Sequence, residues 1–95
     1  MGKYENNVKL TGIVKEDAII KESKNKNFKF VEFYLNVERY NGKLDTFRCV
    51  SFRNYDIDML KKDYWLSLEG QIETYKNKSE VISCDIICNK ISRVL

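Results

Sequence analysis

The sequence predicts an all-β fold: a five-stranded OB-type barrel with one short helix between strands three and four. Three observations carry this. Apolar and polar residues alternate with a period of two over several separate segments, as in strands with one face turned inward. An Asn-Gly pair divides two of those segments where a tight hairpin is expected. One segment with three-residue apolar spacing falls between the third and fourth strands. Five strands of this length close best into a small barrel whose end the helix plugs. The same order also fits a five-stranded sheet with a helix packed on one side.

In the first strand Val8, Leu10, Gly12 and Val14 alternate with Lys9, Thr11, Ile13 and Lys15, with room to run on to Ile20. A polar loop, Lys21–Asn27, follows. The second strand, Phe28–Arg39, puts Val31, Phe33, Leu35 and Val37 on one face and Phe28, Phe30, Glu32, Tyr34 and Asn36 on the other. Asn41-Gly42 is expected to supply the two positive-φ positions of a type I′ turn into the third strand, Leu44–Arg53. Tyr55–Lys62 spaces Ile57 and Leu60 three apart, with acids early and lysines late, and is expected to form two turns of helix. Trp65–Tyr75 is the fourth strand, with Leu66, Leu68, Ile72 and Thr74 on one face and a bend at Gly70. Glu80–Ile91 is the fifth, and Trp65 is expected to cover the barrel end.

Length and composition narrow the function. A chain of 95 residues has room for one domain. No apolar run spans a bilayer and the start resembles no signal peptide, so a cytosolic protein without a membrane partner is expected. Cys49, Cys84 and Cys88 are odd in number and lie in apolar strand patterns, which reads as reduced and buried thiols. With no histidine and no second cysteine pair, no metal site is expected. There is no G-x-S-x-G, no phosphate-cradling glycine loop and no cysteine beside a base, so no catalytic residue, cofactor or small-molecule substrate is expected.

A net charge of +3 is a mild bias toward a polyanion, and its placement says more. Lysines concentrate in Lys21–Lys29 and at Lys76 and Lys78, the connections an OB barrel presents beside its binding face. The outward face of strand two carries Phe28, Phe30 and Tyr34, and exposed rings stack on bases or lie under a loop. In strand three, Arg48, Val50 and Phe52 alternate with Phe47, Cys49 and Ser51, and which set faces inward is open. Tyr75, beside Lys76, is either a stacking residue or a solvated loop tyrosine.

The segments Asn6–Val14, Lys29–Tyr40, Asp45–Phe52 and Met59–Thr74 resemble, in order and spacing, the bacterial and phage single-stranded-DNA-binding proteins (SSB). LEGQIET in strand four is the most specific piece, followed by the NxVxLxGxV pattern at the start. The resemblance implies an OB fold that binds single-stranded DNA without sequence preference, as a dimer or tetramer, in replication and recombination. It places Phe52 at an aromatic DNA contact, Arg48 at a polar or basic one, Tyr40 near an aromatic hairpin position, and Lys62 at a lysine that precedes a glycine. Tyr75 and Lys76 follow LEGQIET where DNA-contacting residues continue. Thr46 replaces a frequent stacking aromatic and Asp63 the expected glycine. The chain stops at Leu95 without the family's acidic tail, which suggests a pared-down form from a phage or mobile element.

The expected ligand is therefore single-stranded DNA, stacked by Tyr34, Tyr40, Phe52 and Tyr75. Its phosphates are expected to meet Lys9, Arg48, Arg53, Lys62 and Lys76, with affinity falling steeply in salt. An OB protein-interaction module and a single-stranded-RNA binder are the other readings.

Overall fold

Six strands form one sheet that closes on itself: β1 (Val8–Val14), β2 (Ile19–Glu22), β3 (Lys29–Glu38), β4 (Leu44–Ser51), β5 (Trp65–Lys76) and β6 (Ile82–Arg93). The computed structural model describes residues 3–25, 28–53 and 57–94. Strand order is β1-β5-β6-β4-β3-β2, and β1 also pairs with β3 to shut a five-stranded barrel, with β2 added outside the closure. The pairs are antiparallel except β4–β6, which is parallel. This is the OB fold.

The predicted first strand breaks in two. Its run is interrupted after Val14, where Ala18 turns into the core and donates its N–H to the Leu60 carbonyl, and resumes as β2. β1 and β2 then flank one strand in succession, Val14 opposite Leu35 and Ile19 opposite Glu32 on β3. The predicted Lys21–Asn27 loop is thus shorter, because Lys21 and Glu22 belong to β2; Lys26 and Asn27 lie outside the described residues.

The hairpin between β3 and β4 is present, but its turn is not type I′. Only Gly42 has positive φ (85°), the Gly42 N–H donates to Arg39 and the Arg39 N–H to Lys43, so the loop has three residues, Tyr40 to Gly42. Arg39 donates through Nε and Nη2 to both Asp45 oxygens at 2.8 and 2.7 Å, bracing its base.

The expected two-turn helix is a single 3-10 turn, Ile57–Met59. Tyr55 and Asp56 of that expectation lie outside the described residues. The turn's work is done by burial: Leu60 is fully enclosed, and Ile57, Met59 and Tyr64 pack around it on the core. Trp65 does not cover the barrel end. It is 51% exposed, because its neighbours Leu66 and Leu68 take the inward positions and alternation forces it out.

Inside lie Val14, Val31, Phe33, Leu35, Cys49, Leu66, Leu68, Ile86, Cys88 and Ile91. Gly70 marks the bend anticipated from sequence. The β5–β6 register slips between Glu69 and Gly70, and a Cβ on Gly70 would lie 2.0 Å from the Ile87 carbonyl oxygen. Past it β5 leaves the barrel, so Ile72 and Thr74, expected on the inward face, are exposed. Cys84 lies out there too and is exposed, against expectation, while Cys49 and Cys88 are buried; all three are free thiols. Hydrogen bonding to the Cys88 thiol, with burial, pushes the Cys49 thiol up and keeps it protonated.

Candidate nucleic-acid interface

The register of β4 settles which of its faces is inside. Tyr34 sits opposite Arg48 and Leu35 opposite Phe47, so Phe47, Cys49 and Ser51 turn inward with Leu35, while Arg48, Val50 and Phe52 share the outer face with Tyr34, Val50 lying covered there. The outer wall made by β2, β3 and β4 therefore collects Phe28, Phe30, Tyr34, Arg48 and Phe52.

Three of these rings form one cluster. Phe28 meets Phe52 edge to face, centroids 5.6 Å apart, while Phe30 lies 5.9 Å from Phe52 and 6.5 Å from Phe28. Phe28 and Phe52 are nevertheless 51% and 55% exposed, so the rings support one another without leaving the surface. Lys24, Lys29 and Arg53 stand on the segments on either side.

Next to the cluster lies an ion-pair network. Glu32, 6% exposed, accepts from Lys21 Nζ at 3.2 Å and from Arg48 Nε at 2.7 Å, and Arg48 Nη1 binds Asp85 Oδ2 on β6. Burial alone would raise the Glu32 carboxyl, but its bonds to Lys21 and Arg48 prevail and hold it below the ordinary carboxylate range. Burial likewise opposes the Arg48 charge, yet the Glu32 bond and the Asp85 and Glu32 charges raise its pKa. The centre of the wall is thus neutralised, and Arg48, expected at a phosphate, is spent on two carboxylates. Asp85 was not foreseen; only its place across from β4 gives it a role.

The other expected residues scatter. Tyr34 is part-exposed beside the network, and Tyr40 stands fully exposed at the hairpin tip. Arg53 follows Phe52, its N–H donating to Ser51 Oγ. Tyr75 lies opposite Ser83, two residues past the Glu73–Asp85 pair, which puts it on the Arg48 side of the sheet. Lys76, at the end of β5, is 3.8 Å from Glu80. Lys62 precedes β5 in a turn where its N–H donates to Asp17. Lys9 faces out from β1 opposite Glu69, on the barrel's other wall with Lys90 and Ser92. Asp63, standing where the resemblance expects glycine, has φ 71°, the left-handed region glycine prefers. Phe28 and Phe30 were left between stacking and secondary core; their outward clustering with Phe52 joins them to the site.

No group of three or more His, Cys, Asp or Glu among the described residues is arranged to hold a metal. No helix among them is long and apolar enough to cross a membrane.

Solved structures share this architecture. The dimeric N-terminal domain of PriB from Thermoanaerobacter tencongensis is similar at 24% identity and a TM-score of 0.75, over 95% of this chain and 97% of that one. The mitochondrial single-stranded-DNA-binding protein Rim1 of S. cerevisiae is similar at 15% identity and a TM-score of 0.76, over 94% and 93%. A second form of Rim1, also over more than nine-tenths of both chains, gives 12% and 0.76. These likenesses place the chain in the OB fold those proteins share. No protein-family model and no curated protein matches it.

Proposed function

We propose that this chain is a one-domain, non-enzymatic protein that binds and protects single-stranded DNA without sequence preference. The observation that carries the proposal is the Phe28–Phe30–Phe52 cluster, held at the surface between lysine-bearing segments on the outer wall of an OB barrel. Apolar rings kept in water are costly, and stacking a base on each recovers roughly 1–3 kcal/mol while tolerating any sequence. Phosphates of the same strand are met by Lys24, Lys29 and Arg53, with Tyr34, Tyr75 and Lys76 extending the path. The Rim1 structures, described as single-stranded-DNA-binding proteins, support the proposal by their shared fold. A role in replication or recombination rests on the sequence resemblance.

Titrating the full chain into labelled oligo-dT, the matching duplex and an RNA of equal length, by fluorescence anisotropy, tests this. Submicromolar, salt-sensitive binding to the single strand with weak duplex binding supports the proposal, and the RNA curve decides the sugar preference. Absence of single-strand binding at low salt sinks it.

Self-association belongs to the same proposal. Ile72, Val81 and Ile82 are exposed on the β5–β6 hairpin, and the similar PriB domain is described as dimeric. Light scattering after size exclusion reads the mass.

A further inference from the structure

We infer that Arg48 is a positioning residue for single-strand binding: its guanidinium ties the aromatic wall to the β5–β6 hairpin and does not itself meet a phosphate. This rests on the proposed binding of single-stranded DNA and deepens it.

β4 and β6 are joined by two residue pairs among the described residues, Cys49 with Ile86 and Val50 with Ile87. One residue earlier on both strands the join passes from backbone to side chains, and Arg48 binds Asp85. The same guanidinium reaches Glu32 on β3 through Nε at 2.7 Å and Nη2 at 2.6 Å. Lys21 on β2 closes the far side of Glu32. One planar cation therefore spans three strands, a geometry that a guanidinium fork provides and an ammonium does not.

What it holds matters for the ligand. On the far side of Asp85, β5 and β6 continue as a two-stranded arm, Glu73–Lys76 against Ile82–Asp85. A ribbon of two strands twists and stands weakly alone, so its direction is set at its root. Tyr75 and Lys76 ride on that arm, whereas Phe28, Phe30 and Phe52 sit on the wall. The Arg48–Asp85 contact thus governs the spacing between the two sets of ligand-facing groups. Asp85 Oδ1 is buried and has no hydrogen-bond partner, so no second contact of that carboxylate substitutes for Arg48. A phosphate at Arg48 would have to displace one of two carboxylates that already offset its charge.

The full chain with Arg48→Lys, and separately with Asp85→Asn, tests the tie, after circular dichroism verifies the fold. Binding to oligo-dT of about thirty nucleotides, longer than the ~4–16 an OB fold covers, is measured across a salt series. Both variants are expected to bind about tenfold more weakly, the loss of one stacked base, with the wild-type salt slope. Arg53→Met, which removes a proposed phosphate contact, instead lowers that slope by about one. Wild-type affinity in Arg48→Lys, or tighter binding in Asp85→Asn, overturns the inference in favour of a phosphate contact.

A second measurement needs no DNA. The single tryptophan, Trp65, lies on the barrel, and Cys84 is the exposed thiol on the arm, so energy transfer from Trp65 to a label on Cys84 reports the arm's position. The transfer should shift or broaden in both variants, and an unchanged value in both overturns the tie. Failure of the wild type to bind any single strand defeats the proposed function instead, and the transfer measurement separates the two. Because the variants alter opposite ends of the contact, the geometry of the cation in one and the charge of the carboxylate in the other, misfolding of one leaves the other decisive.

Discussion

The barrel has two outer walls built by the same alternation, and they differ in what that alternation exposes. The wall of β2, β3 and β4 presents Phe28, Phe30, Phe52 and Tyr34 around a buried ion-pair network. The wall of β1, β5 and β6 presents Lys9, Thr11, Ser67, Glu69, Lys90 and Ser92, an ordinary solvated surface on which Lys9 and Lys90 flank Glu69. Both walls carry lysines, yet the first sets a cluster of surface rings beside them. Cations in open water contribute little until a polyanion arrives, whereas surface rings carry an apolar cost that only a ligand or a partner removes.

The contrast breaks most visibly at Arg48. Replacing it with Met leaves Asp85 buried without its cation and Glu32 with Lys21 alone, and about 3 kcal/mol of stability should be lost in urea denaturation. Lys9→Met on the other wall should change stability by less than about 0.5 kcal/mol. Equal losses would mean that the network carries no special weight.

Binding sharpens the same comparison. Phe28→Ala with Phe52→Ala should weaken oligo-dT binding by about 3 kcal/mol, on the order of a hundredfold, with little change in melting temperature. Lys9→Ala with Lys90→Ala should leave affinity within about twofold, since neither lies on the aromatic wall. A melting temperature that collapses in the phenylalanine double variant, with affinity intact, would return those rings to a purely structural role.

A smaller effect follows from pH. The Glu32 carboxyl is held below its ordinary value of 4.5, so its contribution to stability is complete above that value and is lost as pH falls through the depressed one. In Glu32→Gln that part of the acid sensitivity should disappear, which thermal melts across the acid range would show. The smallest effect lies at Asp63, whose φ of 71° suits glycine better: Asp63→Gly should stabilise by about 0.5 kcal/mol, and a loss would show that the Asp side chain matters more than the strain.

Much of the fold was legible because strand alternation is local. Val31, Phe33 and Leu35 are inward as their spacing predicts, and Gly70 interrupts β5 where the sequence placed a bend. The helix failed because Ile57 and Leu60 need one short turn to reach the core. In the candidate site, alternation puts Tyr34 on the outer face of its strand but leaves Phe52 open; only the SSB resemblance singles out Phe52, and the β3–β4 register turns it outward. Asp85 was not found at all, since its partner Arg48 is 37 residues away in sequence.

One residue separates what the sequence determines from what tertiary structure decides. By itself the sequence determines five alternating strands, an Asn41-Gly42 hairpin and lysine-bearing connections. It leaves the inward face of β4 open, and the turn type decides it. A two-residue turn at Asn41-Gly42 would have set Tyr34 opposite Cys49 and sent Arg48 inward. The three-residue loop, with Gly42 alone at positive φ, sets Tyr34 opposite Arg48 and turns Phe52 out to join Phe28 and Phe30. Both turns suit the local sequence; burying Phe47 and Cys49 rather than Arg48 and Phe52 is a property of the closed barrel, where a cation inside would have no partner.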